Sequence, residues 1–183
     1  MFKRPIKRED YGIVLDFLPQ GYPLGRDRKP VAQILGEKYF TLLEVAPKAG
    51  VTLKHGERVY IGPDKRERIH HVIGRINISK LTNFAREELE NAITRLVEQR
   101  EKEFVDFFNN ASGINIRLHE FEVLPGIGKK HMWHLLEARK EKPFESFEDI
   151  QKRVPLIPDP KKIIVRRIIM ELEGKDKYKI FTA

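Results

Sequence analysis

The sequence contains no cysteine in its 183 residues. That excludes disulfides, thiolate zinc sites and cysteine-held iron–sulfur clusters, so the fold must rest on packing and hydrogen bonds. Long apolar runs are also missing, and nothing approaches the ~18 consecutive apolar residues of a membrane-spanning helix. The opening MFKRPIKRED is basic but has no apolar segment of the kind an export signal carries. The expectation is a cytoplasmic protein with no membrane partner. Glycine-rich nucleotide-binding strings are absent, and Asp10, Asp16 and Asp27 lack the repeated spacing of a two-metal nuclease.

What is present is charge. Charged residues make up 34% of the chain, the hydrophobic fraction is 40%, and the net charge is +8. Residues 1–80 hold 16 Lys and Arg against 9 Asp and Glu, giving +7; residues 81–112 hold 4 against 7, giving −3; residues 113–183 hold 15 against 11, giving +4. Two basic parts joined by an acidic one suit contact with a polyanion at two surfaces.

An α+β chain in three parts is expected. Residues 1–80 read as a basic β-barrel domain. Five segments rich in Ile, Val, Tyr and Phe (YGIVLDFLP, VAQILG, KYFTLLEVAP, ERVYIG and RIHHVIGRINIS) are separated by turn residues. So few short strands bury a core best by curling, which predicts a small OB-like or SH3-like barrel. Residues 81–112 read as one long connecting helix, N-capped by Thr82, with Leu89, Ala92, Ile93, Leu96, Val97, Phe104, Phe107, Phe108 and Ala111 on one face. A single helix of that span would be roughly 40 Å long.

Residues 113–183 carry the most informative string, LHEFEVLPGIGKKHMWHLLEARKEKPFESFEDI. Ile114, Leu118 and Phe121 share one helical spacing, and Met132, Leu135 and Leu136 another after Gly128, so two helices joined by PGIG are predicted. Pro125 ends the first, Gly126 and Gly128 allow backbone angles and close approach that side chains forbid, and Ile127 plugs the gap between helices. Turn and helix-start N–H groups then face outward beside Lys129, Lys130 and His131, an arrangement suited to a phosphate. A second copy follows, with Val154-Pro155 aligned on Leu124-Pro125. Its turn, VPLIPDPKK, has prolines in place of glycines, which leaves phosphate contact to Lys161, Lys162, Arg166 and Arg167.

These residues resemble the helix-hairpin-helix nucleic-acid-binding motif, and the likeness continues through PFESFEDI. The resemblance implies a tandem helix-hairpin-helix domain with a basic tail, binding backbone phosphates without reading sequence. Met132 departs from it, since the motif has a small residue there. The whole layout is similar to an uncharacterised archaeal family usually described as RNA-binding, which favours RNA over DNA and a link to ribosomal RNA or translation.

Other chemistry fits these residues less well than binding. Glycosylases with the same turn use an aspartate downstream of it, but Glu148 and Asp149 fall where carboxylates cap a helix. His131 and His134 are one turn apart, with His119 as a third candidate ligand, yet no carboxylate of ligand-like spacing joins them. Adjacent His70 and His71 in a strand point to opposite faces. The expected function is therefore a non-enzymatic, sequence-independent nucleic-acid-binding protein with no cofactor or metal. A structure-specific nucleic-acid-processing enzyme of the DNA-repair type and a protein-interaction adaptor are the alternatives. The barrel's expected contacts are Arg26, Arg28, Lys29, Lys65, Arg66 and Arg68, with Tyr22 and Tyr60 as stacking candidates.

Overall fold

A computed structural model describes residues 5–183. It is an α+β structure with an N-terminal five-stranded antiparallel half-barrel followed by five helices. The chain forms two compact units, one of residues up to Ala92 together with Glu171–Ala183 and one of Ile93–Met170.

The first unit holds β1 (Tyr11–Leu18), β2 (Val31–Gly36), β3 (Leu42–Pro47), β4 (Arg58–Tyr60) and β5 (Ile69–Arg75) in the order β4-β1-β2-β3-β5. All six residues of β2 are buried, as befits a central strand. A register shift interrupts the β1–β2 pairing between Val14 and Asp16, and the consecutive residues Val14 and Leu15 are both buried there. The core joins Val14, Ala32, Ile34, Leu43, Val45, Leu53, Val59, Ile61 and Ile69. The curl stops at a half-barrel, because β4 is only three residues long and only Ile69 of β5 is fully buried. The third predicted strand is shorter than expected. Lys38 and Tyr39 lie in the turn before it, whose N–H groups are held by the buried Glu9 carboxylate at 2.9 and 2.6 Å, with Phe40 beside them at φ +56°.

Behind the sheet, Gln33 donates to the Lys80 carbonyl (3.0 Å) and accepts from the Thr82 N–H (2.9 Å). Thr82 caps α1 (Asn83–Gln99) by accepting from the Ala85 N–H at 3.1 Å, as its sequence position predicts. The C-terminal segment is anchored by the buried Glu171 carboxylate, which accepts N–H bonds from Ile180, Phe181 and Thr182 at 2.9 to 3.1 Å.

The second unit corrects the single long helix. Arg100 (φ −109°, ψ +28°) leaves helical space, so α1 ends at Gln99 and α2 (Glu101–Asn110) begins afresh with Glu101 and Glu103 in its first turn. Glu101 accepts the Phe147 N–H at 3.0 Å, which ties the new start to a later helix. A second correction concerns the first helix of the predicted pair. In its place stand a two-stranded ribbon, β6 (Gly113–Asn115) with β7 (Leu118–His119), and a 3-10 turn over Glu120–Val123. Asn115 Oδ1 accepts from the Arg117 N–H (2.8 Å), and this local side-chain bond competes with helix formation. His119 Nδ1 then accepts from the Phe121 N–H, and Glu122 reaches back to the His119 N–H, so a reciprocal pair of bonds caps the start of the 3-10 turn.

After the turn come α3 (Lys129–Glu141), α4 (Phe147–Arg153) and α5 (Pro160–Leu172). Phe108 and Phe121 stack at 5.9 Å, and Leu124, Leu135, Ile150, Val154, Ile164 and Ile168 are buried in the same unit. Arg139 donates to the Phe108 and Ala111 carbonyls at the end of α2, and Arg153 to those of Ala138 and Lys142 at the end of α3, so both guanidiniums close helix C-termini.

Candidate nucleic-acid interface

The loop from Leu124 to Gly128 is built by its proline and glycines. The Ile127 N–H donates to the Leu124 carbonyl at 3.2 Å, Pro125 takes the second position, and Gly126 takes φ +80° at the third, the combination that defines a type II turn. Ile127 is buried and plugs the core beneath. Gly128 caps α3 with extended backbone (φ −94°, ψ −173°) and no side-chain bond, and a Cβ placed on it would meet nothing within 4 Å. The first intrahelical bond runs from the Met132 N–H to the Gly128 carbonyl, so the N–H groups ahead of it have no partner within the helix. No acidic residue stands in the first turn of α3, while Lys129 and Lys130 are exposed and His131 is half-buried. Open amides, the positive helix end and two ammonium groups therefore share one surface.

The second turn repeats the backbone thirty residues on. The Ile157 N–H donates to the Val154 carbonyl at 3.4 Å, Pro155 follows Val154, and Leu156 takes φ +58°. Its chemistry differs. Asp159 Oδ1 accepts the Lys161 N–H at 3.0 Å, so a carboxylate already occupies the start of α5. Pro158 and Pro160 have no N–H to offer. Lys161 is ion-paired with Glu98 at 2.9 Å, which raises its pKa, and Lys162 and Arg166 are exposed. The expectation that Arg167 meets phosphate is corrected: the residue is 0% exposed and donates to the Val123 carbonyl at 2.9 Å. The turns lie side by side, since a Cβ on Gly126 would be 3.5 Å from Pro158 Cγ.

On the half-barrel, Arg26, Arg28 and Lys29 are exposed in the β1–β2 loop, where Lys29 lies 3.7 Å from Asp27. Lys65 is exposed, and Arg66 lines a cleft of about 450 Å³ with Lys7, Arg8 and Arg75. Arg68 is tied down, with Nη2 donating to the Thr52 carbonyl (2.6 Å) and Nε 2.8 Å from a Glu57 carboxylate oxygen. The aromatic stacking candidates are engaged internally. Burial and a hydrogen bond to Glu44 push the Tyr22 phenol up to about 12, and Tyr60 packs edge-on to Tyr11 at 5.2 Å while accepting the Asp64 N–H.

Asp149 is a cap. It accepts from the Glu145 N–H (3.0 Å) and pairs with Arg153 (3.1 Å), and these contacts, the N–H bond foremost, hold its carboxyl below the usual range. Among the described residues no three His, Cys, Asp or Glu are grouped to hold a metal.

Trp133 and Ile116 were not picked out by sequence reasoning. Together with Arg117, Lys129, Met132 and Leu136 they line a groove of about 360 Å³ between the β6–β7 ribbon and α3. The available signal was Trp133 lying one position off the Met132, Leu135, Leu136 stripe, which points it away from the core.

These features define an α+β protein with an open antiparallel half-barrel and a helical part carrying an exposed, amide-rich turn. The chain belongs to the family described as "Protein of unknown function (DUF655)", which it matches over residues 8–183. It is 46% identical over 180 residues to the uncharacterized protein MJ0038 of Methanocaldococcus jannaschii, an alignment covering 97% of this chain and 82% of that one. The crystal structure of Af1531 from Archaeoglobus fulgidus is similar at a TM-score of 0.88 and 47% identity, over 96% of this chain and all of that one. The expected likeness to an uncharacterised archaeal family holds at that level, and neither the family description nor these relatives name RNA binding or any other function.

Proposed function

We propose that the protein is a non-enzymatic, largely sequence-independent nucleic-acid-binding protein, with RNA favoured over DNA. In this reading residues 120–172 are a tandem helix-hairpin-helix, with the 3-10 turn Glu120–Val123 standing in for its first helix; the first turn grips a backbone phosphate and the second supplies Lys162 and Arg166 at its flank. The half-barrel adds a basic contact through Arg26, Arg28, Lys65 and the Arg66 cleft. The observation that carries the reading is the start of α3, where a helix end with no side-chain cap, behind an exposed Gly128, has two exposed lysines and no acidic residue in its first turn. Phosphate contact of this kind positions a nucleic acid without reading its bases.

The test is fluorescence anisotropy with labelled single- and double-stranded RNA and DNA between about 50 and 200 mM salt. Affinity is expected to fall steeply with salt and to change little when sequence is scrambled at fixed structure. A flat salt response, or no binding to any of the four, overturns the proposal.

A further inference from the structure

We infer that the groove between the β6–β7 ribbon and α3 seats an unpaired base of a single-stranded nucleic acid, stacked on Trp133, while the Gly128–Lys130 amides hold a neighbouring phosphate. This rests on the proposed function and adds a substrate class to it. Trp133 is 59% exposed and Ile116 is 100% exposed, so two large apolar side chains border one groove from opposite elements, ribbon and helix. Together they give the groove an apolar border on both sides, a surface that a flat aromatic ring can cover.

The rim points to an anionic occupant. Arg117 and Lys129 are exposed on its two sides, and the lining carboxylate, Glu122, is committed to the His119 N–H at 2.8 Å. Lys129 and Trp133 are four residues apart on α3 and hence on one helical face, about 6 Å apart at their Cβ atoms. That separation is comparable to the reach from a phosphate to a base on the same strand. The volume of about 360 Å³ is in the range of small-ligand pockets and has room for a nucleoside-sized group. A base inside a duplex has both faces covered by its neighbours, so an indole can stack only on an unpaired one.

Trp133 is the only tryptophan in the chain, so its emission reports on this groove. The intact protein is titrated at low salt with a ribo-oligonucleotide, a duplex of the same length, and an abasic strand of the same charge, while anisotropy follows binding independently. The base-bearing strand is expected to quench emission in step with binding, and the abasic strand and duplex to bind with little quenching. Trp133→Ala is expected to weaken single-strand binding roughly tenfold or more at unchanged melting temperature and salt slope, and Trp133→Phe to recover part of the loss. Binding by anisotropy with equal quenching from base-bearing and abasic strands, or unchanged affinity in Trp133→Ala, overturns the base site while leaving the proposed function intact. Absence of binding to every strand overturns both, and a concentration-dependent dimer that buries Trp133 without nucleic acid assigns the groove to a second copy instead.

Discussion

Gly126 and Leu156 stand thirty residues apart at the same place in two successive turns, both with left-handed backbone, at φ +80° and +58°. Each follows a proline and precedes a buried isoleucine, Ile127 or Ile157, whose N–H closes the turn on the residue before that proline. The repeat is thus one of backbone shape. Its chemistry has diverged, because glycine takes this conformation freely whereas leucine is strained by ~1–2 kcal/mol.

Leu156→Gly is therefore expected to raise stability by up to about 1 kcal/mol, the relief of strain being partly offset by the greater freedom of glycine in the unfolded chain. Leu156 is 92% exposed, so little packing is lost. Gly126→Ala is expected to cost about 1 kcal/mol. Urea unfolding midpoints measure both, and a loss of stability in Leu156→Gly would show that its side chain contributes more than the strain removes.

Gly128 behaves differently from Gly126. Its backbone is extended and a Cβ there meets no atom, so Gly128→Val brings no strain and is expected to cost about 1 kcal/mol, because valine is a poorer helix N-cap than glycine. The added side chain would cover the α3 amides and weaken nucleic-acid binding. Lys129→Ala with Lys130→Ala leaves those amides open and is expected to lower the salt slope by about one to two, roughly one per lost phosphate contact, at unchanged melting temperature. Full affinity in both variants at every salt concentration would remove the α3 start from the binding surface.

Much of this site was legible because the signals are local. Pro-Gly-Ile-Gly encodes its own turn, and Thr82 and Ser146 mark helix starts that the structure keeps, with Ser146 accepting the Asp149 N–H at 2.9 Å. The bend at Arg100 was hidden because both helices use good helix formers and continue similar apolar spacing across the break. The β6–β7 ribbon was hidden because Ile114, Leu118 and Phe121 have helical spacing while Asn115 bonds locally to end any helix. The groove depends on that ribbon, so it could not be read before the ribbon was known.

His119 makes the 3-10 turn ahead of Pro125 sensitive to pH. Burial, and then the charge of Arg139, push its pKa below the ordinary value of about 6.5, against the opposing pull of Glu120 and Glu122. Its Nδ1 accepts the Phe121 N–H at 3.0 Å, which a protonated Nδ1 cannot do. Because the folded value lies below the unfolded one, the unfolded chain binds the proton more readily. The stabilisation is complete above about pH 6.5 and declines as pH falls from there toward the folded value. Melting temperatures at pH 7.5 and 5.5 are expected to differ less in His119→Asn, which retains an accepting oxygen, than in the parent. An equal difference in both would show that other groups govern the acid response.

Arg166 and Arg167 look alike in sequence and are expected to respond in opposite ways. One residue along a helix is a rotation of about 100°, and on α5 that carries Arg166 to solvent and Arg167 into the core. The Arg167 guanidinium binds the Val123 carbonyl just before the first turn, so it links α5 to the segment that positions Gly126. Arg167→Ala leaves a cavity and removes a charged donor from a partly buried carbonyl, and is expected to cost about 2–4 kcal/mol. Arg166→Ala is expected to stay within about 0.5 kcal/mol in stability and to lower the salt slope of binding by up to about one. Chemical unfolding combined with anisotropy on the same two variants separates the roles. If Arg167→Ala unfolds like the parent while its binding alone declines, the guanidinium must reach nucleic acid through local opening of the second unit, and its assignment to the core is wrong.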